Sequence, residues 1–217
     1  MLILQCHREE KTDVPVPEKS AHERVMEITV ENPVKDAQIE YTETGHMFHF
    51  NLQNTIYTMT MDGRITRHDS GGAKSSYSLN IQNGDYIEYL KYLFFRDDLI
   101  LIYETASEES DGGQILRLTG RDLRLQWHQY LPGFNLDAGP VEDHFLYVSA
   151  IGMVGKLNLM TGDWVWQHNQ LFENNGSFSA FQKPILQGDS IIFREEDIMK
   201  KNIKRFVLNK ETGEPFR

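Results

Sequence analysis

Apolar and polar positions alternate most clearly between Gly155 and His168 (GKLNLMTGDWVWQH). There Leu157 and Leu159, then Trp164 and Trp166, recur at period two on either side of Thr161-Gly162-Asp163. Alternation of that kind around a Gly-bearing turn predicts two antiparallel strands. Val207 to Phe216 (VLNKETGEPF) repeats the strand and a Thr-Gly-Glu turn, and Gln114 to His128 (QILRLTGRDLRLQWH) repeats strand, turn and tryptophan. Strongly apolar runs follow a polar turn residue at Asn54, Asp98, His144 and Asp189, which lie 44, 46 and 45 residues apart. Each interval holds the same succession of an apolar segment, a strongly apolar strand, a third strand and a last strand. The first segments are 47–52, 87–95, 134–141 and 178–186; the third strands are 64–68, 114–118, 155–159 and 205–209. The last strands are 77–81, 123–128 and 164–168, with only Pro215-Phe216-Arg217 in the fourth interval. Four strands recurring every ~45 residues predict an all-β fold, a β-propeller of four four-stranded blades.

Residues 1–24 form an N-terminal tail or tether, and 25–217 the propeller domain. His7 to Arg24 has few large apolar residues, two prolines and mixed charge, the composition of a linker. Val25 to Val30 (VMEITV) and Ala37 to Thr42 (AQIEYT) are strand-like and belong to no repeat. Since the fourth interval lacks an outer strand, one of the two is expected to pair with the last unit around Arg205 to Asn209. Supplied by the same chain, that strand closes a monomer; supplied by a second copy, it makes an eight-bladed homodimer. The monomer is the favoured reading.

The succession Gly155, Leu157, Leu159, Thr161-Gly162 and Trp166 resembles the repeat of the pyrroloquinoline-quinone-type propellers. That superfamily holds quinoprotein dehydrogenases and also non-catalytic scaffolds such as lipoproteins of the outer-membrane barrel-assembly type. The resemblance spans Met47 to the C-terminus and is weakest in the first unit, where Tyr77 stands in the place of the tryptophan. It implies that Trp127 and Trp166 dock neighbouring blades, with Gly155, Gly162 and Gly213 as structural partners.

Composition narrows the function. A net charge of -10 over 217 residues, without a visible basic patch, argues against nucleic-acid binding. The single cysteine, Cys6, rules out an internal disulfide and any CxxC metal knuckle. No apolar run approaches the ~18 to 20 residues of a membrane-spanning helix. Met1 to Cys6 (MLILQC), followed at once by HREEKTDVPVPEKS, looks like the surroundings of a lipidated cysteine. Cys6 is therefore a candidate lipidation site, which would place the protein in the cell envelope or periplasm; the alternative is a cytoplasmic protein with a frayed terminus.

Catalytic signals are sparse. Glu104 to Gly113 and Glu195-Glu196-Asp197 lack the alternating spacing of a calcium loop and are read as solvated loops. His46 and His49 point to opposite faces of a strand, and Asn175-Gly176-Ser177 is read as a loop. No catalytic, cofactor or metal residue is assigned. Tyr130, Leu131, Leu171 and Phe172, set among polar loop residues, form the candidate partner surface. The leading expectation is a non-catalytic scaffold with a protein partner, its only membrane contact a lipid anchor at Cys6. The alternative is a degenerate quinoprotein oxidoreductase binding pyrroloquinoline quinone.

Overall fold

The computed structural model describes residues 33–52, 54–81, 84–106, 112–131, 136–169, 179–197 and 202–216. Every element among them is a strand. β1 (Lys35–Asp36) and β2 (Gln38–Thr42) precede the first unit, β3 (Gly45–Leu52), β4 (Thr55–Thr60), β5 (Arg64–His68) and β6 (Lys74–Ser78). The second unit is β7 (Tyr86–Phe95), β8 (Asp98–Ala106), β9 (Gly112–Leu118) and β10 (Leu125–Leu131). The third is β11 (Asp137–Glu142), β12 (Phe145–Ala150), β13 (Met153–Asn158) and β14 (Trp164–His168). The fourth has three strands, β15 (Ser179–Gln187), β16 (Ser190–Asp197) and β17 (Asn202–Asn209). Each unit is one antiparallel meander in its own sheet.

The first hairpins fix the register of the repeat. Arg96, Asp143 and Gly188 each open a two-residue turn with φ near +56°, +55° and +59°, so Asp97, His144 and Asp189 are the equivalent second residues. The alignment through Asp98 was therefore one residue late, and the turn positions Asn54, Asp97, His144 and Asp189 lie 43, 47 and 45 apart.

Three apolar clusters join the units in sequence: first to second, second to third, and third to fourth. The second strand of each unit records its place in that stack. In β8, Leu99, Leu101 and Tyr103 face the first unit while Ile100 and Ile102 face the third, so both sides are apolar. In β4 only Tyr57 and Met59 are buried, and the opposite face carries exposed Ile56 with half-buried Thr58 and Thr60. A polar outer face is what the terminal unit of a stack needs to stay in water.

The N-terminal strands depart from expectation. Ala37 to Thr42 does not reach the last unit: β2 pairs with β3 through the short Glu43-Thr44 turn, and Thr42 Oγ1 donates to Gly45 O at 3.1 Å. Closing a two-residue loop costs far less chain entropy than reaching a distant sheet, so the local hairpin wins. Further back, Ala37 N–H donates to Leu90 O at 3.1 Å, and β1 lies on β7. At β17 the edge near Val207 is taken by the chain itself: Phe216 N–H donates to Val207 O at 3.0 Å, and Leu208 bridges Pro215. Val25 to Val30 and Cys6 lie outside the described residues.

Candidate binding surface

The closing strands place the tryptophans between units. Trp127 on β10 donates from Nε1 to Leu159 O of the third unit at 3.1 Å, and its ring lies against Gly162, where a Cβ would come within 2.7 Å. Trp166 on β14 repeats both contacts one unit later, with Lys210 O at 3.1 Å and Gly213 at 2.7 Å. Two residues on from each tryptophan, a polar side chain meets the same turn: Gln129 Nε2 donates to Gly162 O at 2.7 Å, and His168 Nε2 lies 2.8 Å from Gly213 O. Gly155 is different. It lies under Trp164 of its own sheet, where a Cβ would be 2.6 Å from the ring, and so belongs to an intra-sheet contact.

Opposite each tryptophan stands a cation. Arg117, the cross-strand partner of Trp127, is forked onto Asp98 and donates from Nη1 to Leu159 O at 2.8 Å. Lys156, the partner of Trp166, has a fully buried side chain. It reaches Glu211 of the fourth unit at 2.8 Å, with its ammonium 4.4 Å from the Phe145 ring centre. Lys210 crosses back to Glu142 at 2.6 Å, and that bond holds its ammonium pKa above the usual value. Sequence reasoning missed Arg117, Gln129 and Lys156. The signal that identifies them is position alone, cross-strand from or two residues after a closing tryptophan.

The expected partner surface is rearranged. Tyr130 is exposed and covers Gly112. Leu131, by contrast, is fully buried in the cluster between the second and third units, because β10 runs on through it and alternation turns it inward. Leu171, Phe172 and the Asn175-Gly176-Ser177 stretch lie outside the described residues. The acidic stretches are less loop-like than expected: Glu104 is inside β8, its carboxylate accepting the Leu136 N–H, and Glu195 is a buried residue of β16. Ladder pairing of Glu195 with Lys204 and of Asp197 with Asn202 carries that hairpin through the acids. Residues 107–111 are outside the described set.

Along the inner strands, polar groups bind one unit to the next: His46 Nε2 lies 2.9 Å from Ile87 O, and Lys91 pairs with Asp137 at 2.6 Å. Within the second sheet, Tyr89 of β7 donates to Asp36 of β1 at 2.9 Å. His49, on the other face of β3, pairs with Glu40 at 2.8 Å. Among the described residues no group of three or more His, Cys, Asp or Glu is placed to hold a metal ion.

Among the described residues, the most exposed of the large apolar side chains sits on β2. All five of its residues are exposed, with Tyr41 81% and Ile39 45% accessible. Both side chains project on the side of Phe48 and His46, and the Tyr41 ring meets His46 edge-on at 6.3 Å. β2 is the terminal strand of its sheet, and its other edge pairs with no strand among the described residues.

No protein-family model matches the sequence, and no curated protein matches it. Among solved structures, the chain is similar to a europium-containing methanol dehydrogenase: 11% identity over 78% of this chain and 44% of that one, TM-score 0.46. It is also similar to BamB from Moraxella catarrhalis, at 10% identity over 85% and 78% of the two chains, TM-score 0.32. The WD40 domain of SCAP from fission yeast gives 9% identity over 82% and 56%, TM-score 0.27. The chain spans less than half the length of the methanol dehydrogenase.

Proposed function

We propose that the chain is a four-unit propeller of the quinoprotein-like repeat type that acts as a non-catalytic scaffold for protein binding, tethered to a membrane through Cys6. The observation that carries the binding role is β2: a fully exposed edge strand with Ile39 and Tyr41 on one side. Unpaired N–H and C=O groups along such an edge are a template for a further strand, and strand addition takes its affinity from those groups and its selectivity from alternate side chains. His46, whose Nε2 lies 2.9 Å from Ile87 O, meets the Tyr41 ring edge-on at 6.3 Å.

The test begins with affinity capture from an envelope fraction, comparing the native protein with an Ile39→Lys/Tyr41→Lys variant. A co-purifying protein is then produced and titrated against both forms. Loss of tenfold or more in affinity, with unchanged melting, supports the scaffold role; equal binding by both forms removes β2 from it. Titration with pyrroloquinoline quinone and calcium addresses the enzymatic alternative, and saturable micromolar binding would overturn the proposal. Mass spectrometry of the native protein reports on the anchor, since an unmodified N-terminus excludes it.

A further inference from the structure

The free edge of β2 has a charge as well as a shape. Its short loop, Glu43-Thr44, makes Thr42 and Gly45 the hydrogen-bonded pair that closes the hairpin, and in an antiparallel ladder such pairs alternate with non-bonded ones. Gln38 and Glu40 therefore direct their main-chain groups at His49 and Met47, while the N–H and C=O groups of Ile39 and Tyr41 point to the free edge. A strand laid antiparallel there bonds to Ile39 and Tyr41. It sets one residue opposite Glu40 as a non-bonded pair, the arrangement in which side chains come closest.

The side chains divide by face. Ile39 and Tyr41 lie on the side of Phe48 and His46, and Glu40 on the other, 66% exposed beside His49 at 2.8 Å. Opposite charges directly cross-strand stabilise a pair, and like charges destabilise it. Asp36 and Glu43 flank Glu40 in sequence, against Lys35 as the one cation between 35 and 44. With a net charge of -10 on the whole chain, a cationic strand is also favoured at longer range.

A second copy of β2 fits this edge poorly. The two-fold register that pairs Ile39 with Tyr41 of the other copy brings the two Glu40 carboxylates face to face. Sliding it so that Tyr41 meets Tyr41 opposes Ile39 with the turn residue Glu43.

We infer that β2 takes an antiparallel strand of the pattern apolar–Lys/Arg–apolar, its cation opposite Glu40 and its apolar residues opposite Tyr41 and Ile39. This rests on the binding role proposed for β2 and names the chemistry of its partner.

Labelled, capped peptides titrated against the full chain test it. Ser-Ser-Thr-Val-Lys-Val-Thr-Ser-Ser should bind at least fivefold more tightly than the same peptide with Glu in place of Lys, and the difference should shrink at high salt. N-methylation of both valines should abolish binding, because their amides face Tyr41 and Ile39. Glu40→Lys should reverse the preference for the Lys peptide; if that variant melts lower than the native protein, Glu40→Gln reads the same charge and should reduce the preference. Equal binding of the two peptides, a preference untouched by both variants, or undiminished binding of the N-methylated form would overturn the inference. So would failure of every peptide to bind at millimolar concentration, or a dimer that Ile39→Lys/Tyr41→Lys dissociates, the latter assigning the edge to a second copy. The role of β2 itself is read separately, from the captured partner and the Ile39→Lys/Tyr41→Lys variant, so it survives a partner strand of different charge.

Discussion

Trp166 and Gly213 lock the third unit to the fourth: the indole donates to Lys210 O at 3.1 Å while its ring occupies the space a Cβ on Gly213 would need, 2.7 Å away. Gly213 also has φ +75°, a conformation side chains resist. Both halves of the contact are therefore testable. Trp166→Ala should cost ~3 to 5 kcal/mol in denaturant unfolding, the range for emptying a large aromatic site. Gly213→Ala should cost about 1 to 3 kcal/mol through overpacking. A cost below about 0.5 kcal/mol for Trp166→Ala, the surface scale, would contradict the docking.

The first junction replaces this pair with another. Leu123 N–H donates to Thr119 O as Gly162 and Gly213 do in their turns, so Leu123 is the equivalent residue, at φ +56°. In register the tryptophan position falls to Ser75, which pairs with Arg67 as Trp127 does with Arg117 and Trp166 with Lys156; Tyr77, paired with Ile65, stands two residues on, where the second unit has Gln129 opposite Ile115. Leu123 fills with its own side chain the volume that the larger ring takes elsewhere; it is 1% exposed in the cluster against which Tyr77 packs. Leu123→Gly alone should cost about 2 to 5 kcal/mol, as large-to-small core changes do. Adding Ser75→Trp should return part of that, a favourable coupling of about 1 kcal/mol in a double-mutant cycle. Strict additivity would mean that the two positions do not share a site.

Much of this was legible in the chain because the repeat is written in strands of period two. Continuous apolar runs such as Leu99 to Ile102 mark sheets buried on both faces, and the alternating TIYTMT of β4 marks the end of the stack. Two features were hidden for physical reasons. Leu123 conceals its turn, because a side chain at positive φ is rare enough that the glycine at 120 draws the alignment instead. The inter-unit polar contacts of Gln129 and Lys156 depend on which strands face each other, a matter of tertiary placement that composition does not carry. Ala37 to Thr42 has the right pattern for a strand, but pattern does not choose a partner, and the short turn to β3 did.

Lys156 offers a test of buried charge. Its side chain is 1% exposed and Glu211 is 63% exposed, so the pair is screened from one side only. Replacing a buried cation with an apolar chain of similar length is commonly neutral, and Lys156→Met should lie within about 1 kcal/mol of the native protein. Glu211→Gln leaves the ammonium between Phe145 and Tyr147 without its acceptor charge and should cost about 1 to 3 kcal/mol. The double variant should be more stable than Glu211→Gln alone. The reverse order would mean that Glu211 contributes nothing to holding the lysine.

The last expectation concerns alkaline pH. Tyr103 and Tyr147 are buried, and each phenol donates to a neighbour, Gln114 at 2.7 Å and Glu142 at 3.2 Å. Burial pushes both well above the ordinary phenol value, and the Glu142 charge pushes Tyr147 further. The unfolded chain releases these protons near pH 10 and the folded chain only higher, so above that pH the folded state binds more protons. Stability is thus fully present below about pH 10 and falls as pH rises beyond it, by at most about 1.4 kcal/mol per pH unit for each such group. Tyr147→Phe removes one of the two. Urea midpoints followed from neutral pH to above pH 10 should therefore decline less steeply for that variant than for the native protein. Equal slopes would show that the Tyr147 phenol ionises freely in the folded chain.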